Sequence, residues 1–202
     1  MKTIPTILAL TLTLFLSSGF AGDSVTSSLT AEEETQVSEI GQKAVKKLSK
    51  ALIKTLVGDI KSLGFAEAAR GWEKSLNILK QTADSFGNGM DIKRPTFLTR
   101  NPDNGPDRYE ATALKHLEEK FPSRRKDAQY FQKIDRDGSV YYRYYKPIYI
   151  AKKCLNCHSA KMGEDVKAVL REKYPDDKAA NMHIGDFRGA IRIEVPASAL
   201  NL

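Results

Sequence analysis

The chain has 202 residues and a net charge of +7, with two cysteines and three histidines. That length supports one domain with a proper core. Two cysteines with His116, His158 and His183 at no recognised spacing exclude a four-ligand structural zinc site.

The chain opens with Met1-Lys2, an apolar run from Ile4 to Leu16 and then Ser17-Ser18-Gly19-Phe20-Ala21. A charged start, a greasy core and a small-residue cleavage site make a secretory signal. The run is short of the ~20 residues that span a bilayer, and no other stretch is long enough. Residues 1–21 are therefore expected to be removed, leaving a soluble, periplasmic protein of 181 residues whose charge, one lysine fewer, is +6. Nucleic acid is not an expected partner of an exported protein. Residues 22–30 are expected as a flexible lead-in.

Thr30-Ala31-Glu32-Glu33 reads as a capping box. The apolar positions Val37, Ile40, Ala44, Val45, Leu48, Leu52 and Leu56 then predict a helix to about Val57, broken by Gly58 and Gly64. A second helix is expected from Phe65 to Phe86, closed by Gly87-Asn88-Gly89. Residues 31–88 thus form an N-terminal helical hairpin. From Asp91 the pattern changes to strands and turns. Ile92–Leu98, interrupted by Pro95, suits an edge strand, and Arg100 to Asp107 is dense in turn formers. Asp107 caps a helix that Pro122 stops. Tyr130–Ile134 and Val140–Tyr149 are joined by Asp137-Gly138, a hairpin signal. Tyr142, Tyr144, Tyr145 and Tyr149 are expected on sheet faces or a pocket wall. The strand 190–195 points Ile191, Ile193 and Val195 inward and Arg192 and Glu194 outward. The pattern implies an α+β fold, an antiparallel sheet with helices on one side.

Between the last two strands lies Cys154-Leu155-Asn156-Cys157-His158, the C-x-x-C-H pattern that attaches haem covalently. Two thiols three positions apart close thioethers onto neighbouring vinyl groups, and His158 then becomes the proximal iron ligand. A thiol-disulfide motif competes with this reading but belongs at the start of a helix in a βαβ unit. A disulfide across so short a loop stabilises little. One haem c is the expected cofactor.

The chain resembles a family of exported single-haem c-type proteins with a PAS-like sheet, long catalogued as a domain of unknown function. The resemblance covers roughly residues 60–197. Besides the haem motif it rests on Arg100-Asn101-Pro102, Asn104, Pro106-Asp107 and Glu110, on Tyr145-Lys146-Pro147-Ile148, on Tyr174-Pro175-Asp176-Asp177, and on Gly185-Asp186-Phe187-Arg188-Gly189-Ala190. It implies a PAS-like haem-c domain over 89–197, with 198–202 as a C-terminal tail. Members are free-standing or act as sensory domains, and no output domain is expected here. The family also implies a cysteine as second iron ligand on the helix matching residues 65–80, where this chain has Trp72. Indole nitrogen only donates. The distal side is then empty, water-filled or apolar, or is taken by Met182 or His183, with Met90, Met162 and His116 behind them.

Buried propionates need cationic partners, for which Arg94 and Arg100 are the first candidates and Arg188 the next. The alternative for these arginines is a structural pair with Asp107 or Asp186. Lys152, Lys153 and Lys161 are placed to ring an exposed haem edge and steer an acidic redox partner, or else to solvate an ordinary face. Single-electron transfer to an exported partner is the leading function. A redox or diatomic-gas sensor acting through another chain is the alternative, with the helical hairpin as relay and a site of oligomerisation. A peroxidase, or any catalyst, is disfavoured because no distal acid and charge stabiliser are recognisable.

Overall fold

A computed structural model describes residues 24–26, 28–71, 73–123 and 125–201. The expected signal, residues 1–21, and Trp72 lie outside the described residues. The fold is α+β, built on an antiparallel sheet. Its elements are β1 (Ser24–Thr26), α1 (Ala31–Arg70), α2 (Glu73–Asp84), β2 (Asp91–Lys93), α3 (Arg108–Lys120), β3 (Tyr130–Arg136), β4 (Ser139–Tyr149), α4 (Leu155–His158), α5 (Glu164–Lys173) and β5 (Phe187–Pro196). The five strands run in the order β1-β3-β4-β5-β2. The β3–β4 hairpin turns at Asp137 and Gly138, both at positive φ, as the Asp-Gly signal requires. Among the described residues no helix is long and apolar enough to cross a membrane.

Helices cover both faces of the sheet, not one. On the first face Val37, Ala44 and Leu48 of α1 pack on Tyr142, Tyr144, Ile191, Ile193 and Val195. A Cβ on Gly41 would lie 2.3 Å from the Tyr144 ring, so only glycine lets the helix sit this close. On the second face Ala113, Leu114 and Leu117 of α3 pack on Tyr145 and Ala190. Arg192 and Glu194, expected to face solvent, are therefore buried beneath α3. Period-two alternation gives which residues share a face but not whether a second layer covers it. The buried charges are matched: Arg143 pairs with Glu194 and Asp107, and Arg192 with Glu110 and Asp91.

Each covering helix is docked through its own capping box. In α1 the Glu33 carboxylate accepts from the Thr30 amide at 2.8 Å and also from Lys133 Nζ at 2.7 Å and the Tyr142 hydroxyl at 2.5 Å, both on the sheet. In α3 Glu110 accepts from the Asp107 amide (2.8 Å), from Lys93 Nζ (2.8 Å) and from Arg192 Nε (3.1 Å).

Several boundaries differ from the sequence reading. Gly58 does not end α1: it sits in helical backbone with open space around it, where a glycine costs only ~1 kcal/mol. The break comes at Gly64, at φ +83. Leu56 is 49% exposed because the helix has by then run past the sheet. Ser24–Thr26, in the stretch expected as a flexible lead-in, pairs with β3. The C-terminal segment is docked too, with Leu200 buried and Asn201 exchanging two hydrogen bonds with Gln36. Of the expected strand Ile92–Leu98 only Ile92 and Lys93 lie in β2, and beyond them Pro95 O still accepts from Ala190 N of β5 at 3.1 Å before the chain turns toward α3.

Two predictions follow from these contacts. The partners of Glu33, with Lys133 foremost, hold its carboxyl down at about 2 from an ordinary 4.5. The unfolded chain thus binds this proton more readily, so the stabilisation is complete above pH 4.5 and is lost as pH falls toward 2. Glu33→Gln is expected to flatten the acid limb of stability in that window, measured by urea unfolding at several pH values; an unchanged limb would remove Glu33 from acid lability. Gly189 sits at φ +130, where a Cβ would meet Pro95 O at 2.4 Å. Gly189→Ala is expected to cost about 3 kcal/mol, the upper range for overpacking, and a loss below ~1 kcal/mol in the same assay would show that the 95–98 loop yields.

Candidate cofactor site

After β4 the chain makes an excursion before returning as β5, and the C-x-x-C-H run lies at its start. The neck is pinched by Ile150 N donating to Asp186 O (2.9 Å) and Gly185 N to Ile150 O (2.9 Å). A 3-10 turn, Lys152–Cys154, leads into α4, which ends on His158. The two thiols are free and half-buried, and they enter different apolar clusters. Cys154 packs with Ile150, Ala179 and Met182, and Cys157 with Met162, Val166 and Leu170, together with Ala66 and Ala69 of α1. The part of α1 beyond the Gly64 break therefore packs beside the motif.

His158 Nδ1 donates to the Ala179 carbonyl at 2.9 Å. A carbonyl only accepts, so the proton is on Nδ1 and Nε2 keeps its lone pair. Burial, reinforced by Arg100 and Arg188, pushes the imidazole down to about 4, so it is neutral at neutral pH. These are the properties of a metal-ligating histidine held by a carbonyl behind it.

Competing readings of the motif find less support. The sheet ladders are all antiparallel, so the βαβ setting of a thioredoxin-like dithiol is missing among the described residues. Burial raises the Cys157 thiol, opposite to the depressed value of a reactive dithiol. Among the described residues no three His, Cys, Asp or Glu side chains gather as a metal cage.

The three arginine candidates converge on this region. Arg100 Nε donates to Asp177 Oδ2 (3.0 Å) and Nη2 to the Cys157 carbonyl (2.6 Å). Arg188 Nη1 donates to Thr96 Oγ1 (2.8 Å) and Leu98 O (2.9 Å). Burial lowers Arg94 to about 10, and burial together with repulsion from Arg94 and Arg100 does the same to Arg188. The ion pairs weighed as their alternative are formed differently. Asp107 holds Arg143, and Asp186 accepts from the His183 amide.

Beside the motif opens a cleft of about 1170 Å³, whose wall includes Phe65, Lys152, Lys153, Lys161, Met182 and His183. Cys154, Cys157 and His158 are not in that wall; their neighbours Leu155, Asn156 and Ser159 are. Met182 is buried, and its amide donates to the His158 carbonyl at 2.7 Å. His183 is exposed, with Nδ1 3.6 Å from Asp186. Met162 lies under α5 and also reaches the cleft. Met90 packs at the edge of the α1 face, and His116 stacks on Tyr130, both outside the cleft wall. The tyrosines serve the sheet, Tyr145 bonding Gln132 and Tyr149 the Phe121 carbonyl.

Sequence reasoning passed over Asp177, Ala179 and Thr96 as site residues. Asp177 carried a signal, in the run Tyr174-Pro175-Asp176-Asp177, but a main-chain acceptor such as Ala179 O has none.

A family model described as Tll0287-like matches residues 27–196. The crystal structure of the cyanobacterial heme-protein Tll0287 superposes with a TM-score of 0.57 at 24% identity, covering 79% of this chain and 96% of that one. No curated protein matches the chain. With a family match that runs from the start of α1 to the end of the last strand, the chain belongs to the Tll0287-like family.

Proposed function

We propose that this chain is an exported haem-c protein that holds one haem through Cys154, Cys157 and His158 and passes single electrons to and from an acidic protein partner. The observation that carries the reading is His158, neutral, with Nδ1 tied to Ala179 O and Nε2 left for a metal. Tll0287, whose fold this chain shares, is a heme-protein. Two free thiols on the turn before that histidine support covalent attachment, and residues 1–21 support export. The PAS-like reading of the sheet rests on its five antiparallel strands with β2 beside β5.

Haem held here supplies a one-electron iron couple tuned by axial ligation and burial. Arg94 and Arg188, each depressed by burial, suit the two propionates, because an anion there relieves the repulsion among the arginines. Arg100, a third positive charge, is shared with the motif backbone. Met182 and His183, both on the cleft wall, are the side chains that would serve as a second iron ligand. Lys152, Lys153 and Lys161 are exposed on the same wall and give the cleft mouth a positive field that attracts an acidic surface.

A redox or gas sensor is the second reading, favoured by α1. This helix packs on the sheet at one end and against the Cys157 cluster at the other, so it links the cleft to the body of the fold.

The deciding measurement is the spectrum of the reduced protein, produced with haem-maturation machinery, before and after carbon monoxide. Haem that survives denaturation and a sharp six-coordinate spectrum indifferent to carbon monoxide are expected. Lack of covalent haem overturns the proposal, and ready carbon monoxide binding puts the sensor first. His158→Ala is expected to abolish the parent spectrum. Replacing Lys152, Lys153 and Lys161 together with glutamine is expected to slow oxidation by ferricyanide roughly tenfold at low salt and to flatten its dependence on ionic strength. An unchanged rate would take the lysines out of partner recognition.

A further inference from the structure

His158 is held by a chain of contacts that begins on a different part of the fold. Arg100, in the turn-rich loop between β2 and α3, grips the Cys157 carbonyl with one nitrogen and Asp177 with another, at 2.6 and 3.0 Å. Arg100 and Asp177 are 11% and 9% exposed at the side chain, so water competes little for the pair. The other oxygen of Asp177 accepts from the Ala179 amide at 2.8 Å. Ala179 O in turn accepts the Nδ1 proton of His158. Two main-chain bonds brace the same segment: Lys178 N donates to Thr99 O at 2.9 Å, and Met182 N to His158 O at 2.7 Å. The ring of contacts thus closes on the histidine from both its backbone and its imidazole.

We propose that Asp177, clamped by Arg100, is a positioning residue that sets the electron-donating strength of His158 by fixing the Ala179 carbonyl against its Nδ1 proton. A hydrogen bond from the far ring nitrogen to an oxygen raises the basicity of a metal-bound imidazole. A stronger donor favours the oxidised iron, so the intact chain of contacts lowers the reduction potential. Losing the Ala179 contact weakens the donor and favours the reduced state. The proposal rests on the haem reading above.

Two variants separate this role from a simple charge effect. Asp177→Ala and Asp177→Asn remove the same negative charge, but asparagine keeps an oxygen for the Ala179 amide. Both are made with haem attached, and covalent haem is confirmed by its pyridine complex before the potential is read. Absence of covalent haem from the parent protein itself counts against the haem reading and not against the clamp. The alanine variant is expected to be easier to reduce than the asparagine variant by about tenfold in equilibrium constant, about 59 mV for one electron. Equal potentials in the two variants would overturn the proposal. Should the alanine variant fail to fold, Arg100→Lys decides: it keeps the charge but not the two-pronged grip, and a rise in potential of roughly threefold in equilibrium constant is expected. An Arg100→Lys protein with the parent potential would equally sink the idea.

Discussion

The structure depends on one device used twice: a capping-box glutamate that closes a helix N-terminus and also neutralises a cation on the sheet. Glu33 does this for α1 with Lys133, and Glu110 for α3 with Lys93 and Arg192. A cap alone is worth about 1 kcal/mol. A buried carboxylate that has lost its cation is far more costly, of order 3–5 kcal/mol. Coupling the two makes helix start and helix docking a single event, so neither α1 nor α3 can shift along the sheet without leaving a charge uncompensated. Glu110 is completely buried, which puts it at the severe end of that penalty.

The same glutamate governs the site at a distance. Glu110 grips Lys93 at the end of β2 and caps α3, so both ends of the intervening loop are fixed to one carboxylate. That loop carries Arg94, Thr96 and Arg100. Its far edge is sealed where Ala190 N reaches Pro95 O at 3.1 Å, an approach that Gly189 makes possible. Basic residues that repel one another are thereby held together beside the histidine. The cost of assembling like charges is met by rigid backbone.

The sequence was readable where the signal is local. Thr30-x-x-Glu33, the Asp137-Gly138 turn and Asp107 as a cap each act over four residues or fewer, and each is where the pattern puts it. Misjudgements came from effects that no short window contains. Arg192 and Glu194 alternate like solvent-facing residues, yet α3 covers them, and the signal for that is the charge complement on a helix some eighty residues earlier. Gly58 looks like a stop, but the helix is held by packing on either side of it. The bond of Arg100 to Asp177, 77 positions on, has no local signal either.

The pinch between Ile150 and Gly185 bears on the order in which the chain assembles. The β3–β4 hairpin closes over two residues, but β4 and β5 are separated by residues 150–186, and closing a loop of that length costs about 3 kcal/mol in chain entropy. Sequence separation of this kind slows folding more than it weakens the product. The local hairpin is therefore expected to form ahead of the β4–β5 ladder, leaving the two cysteines on an open tether until the sheet draws the neck shut.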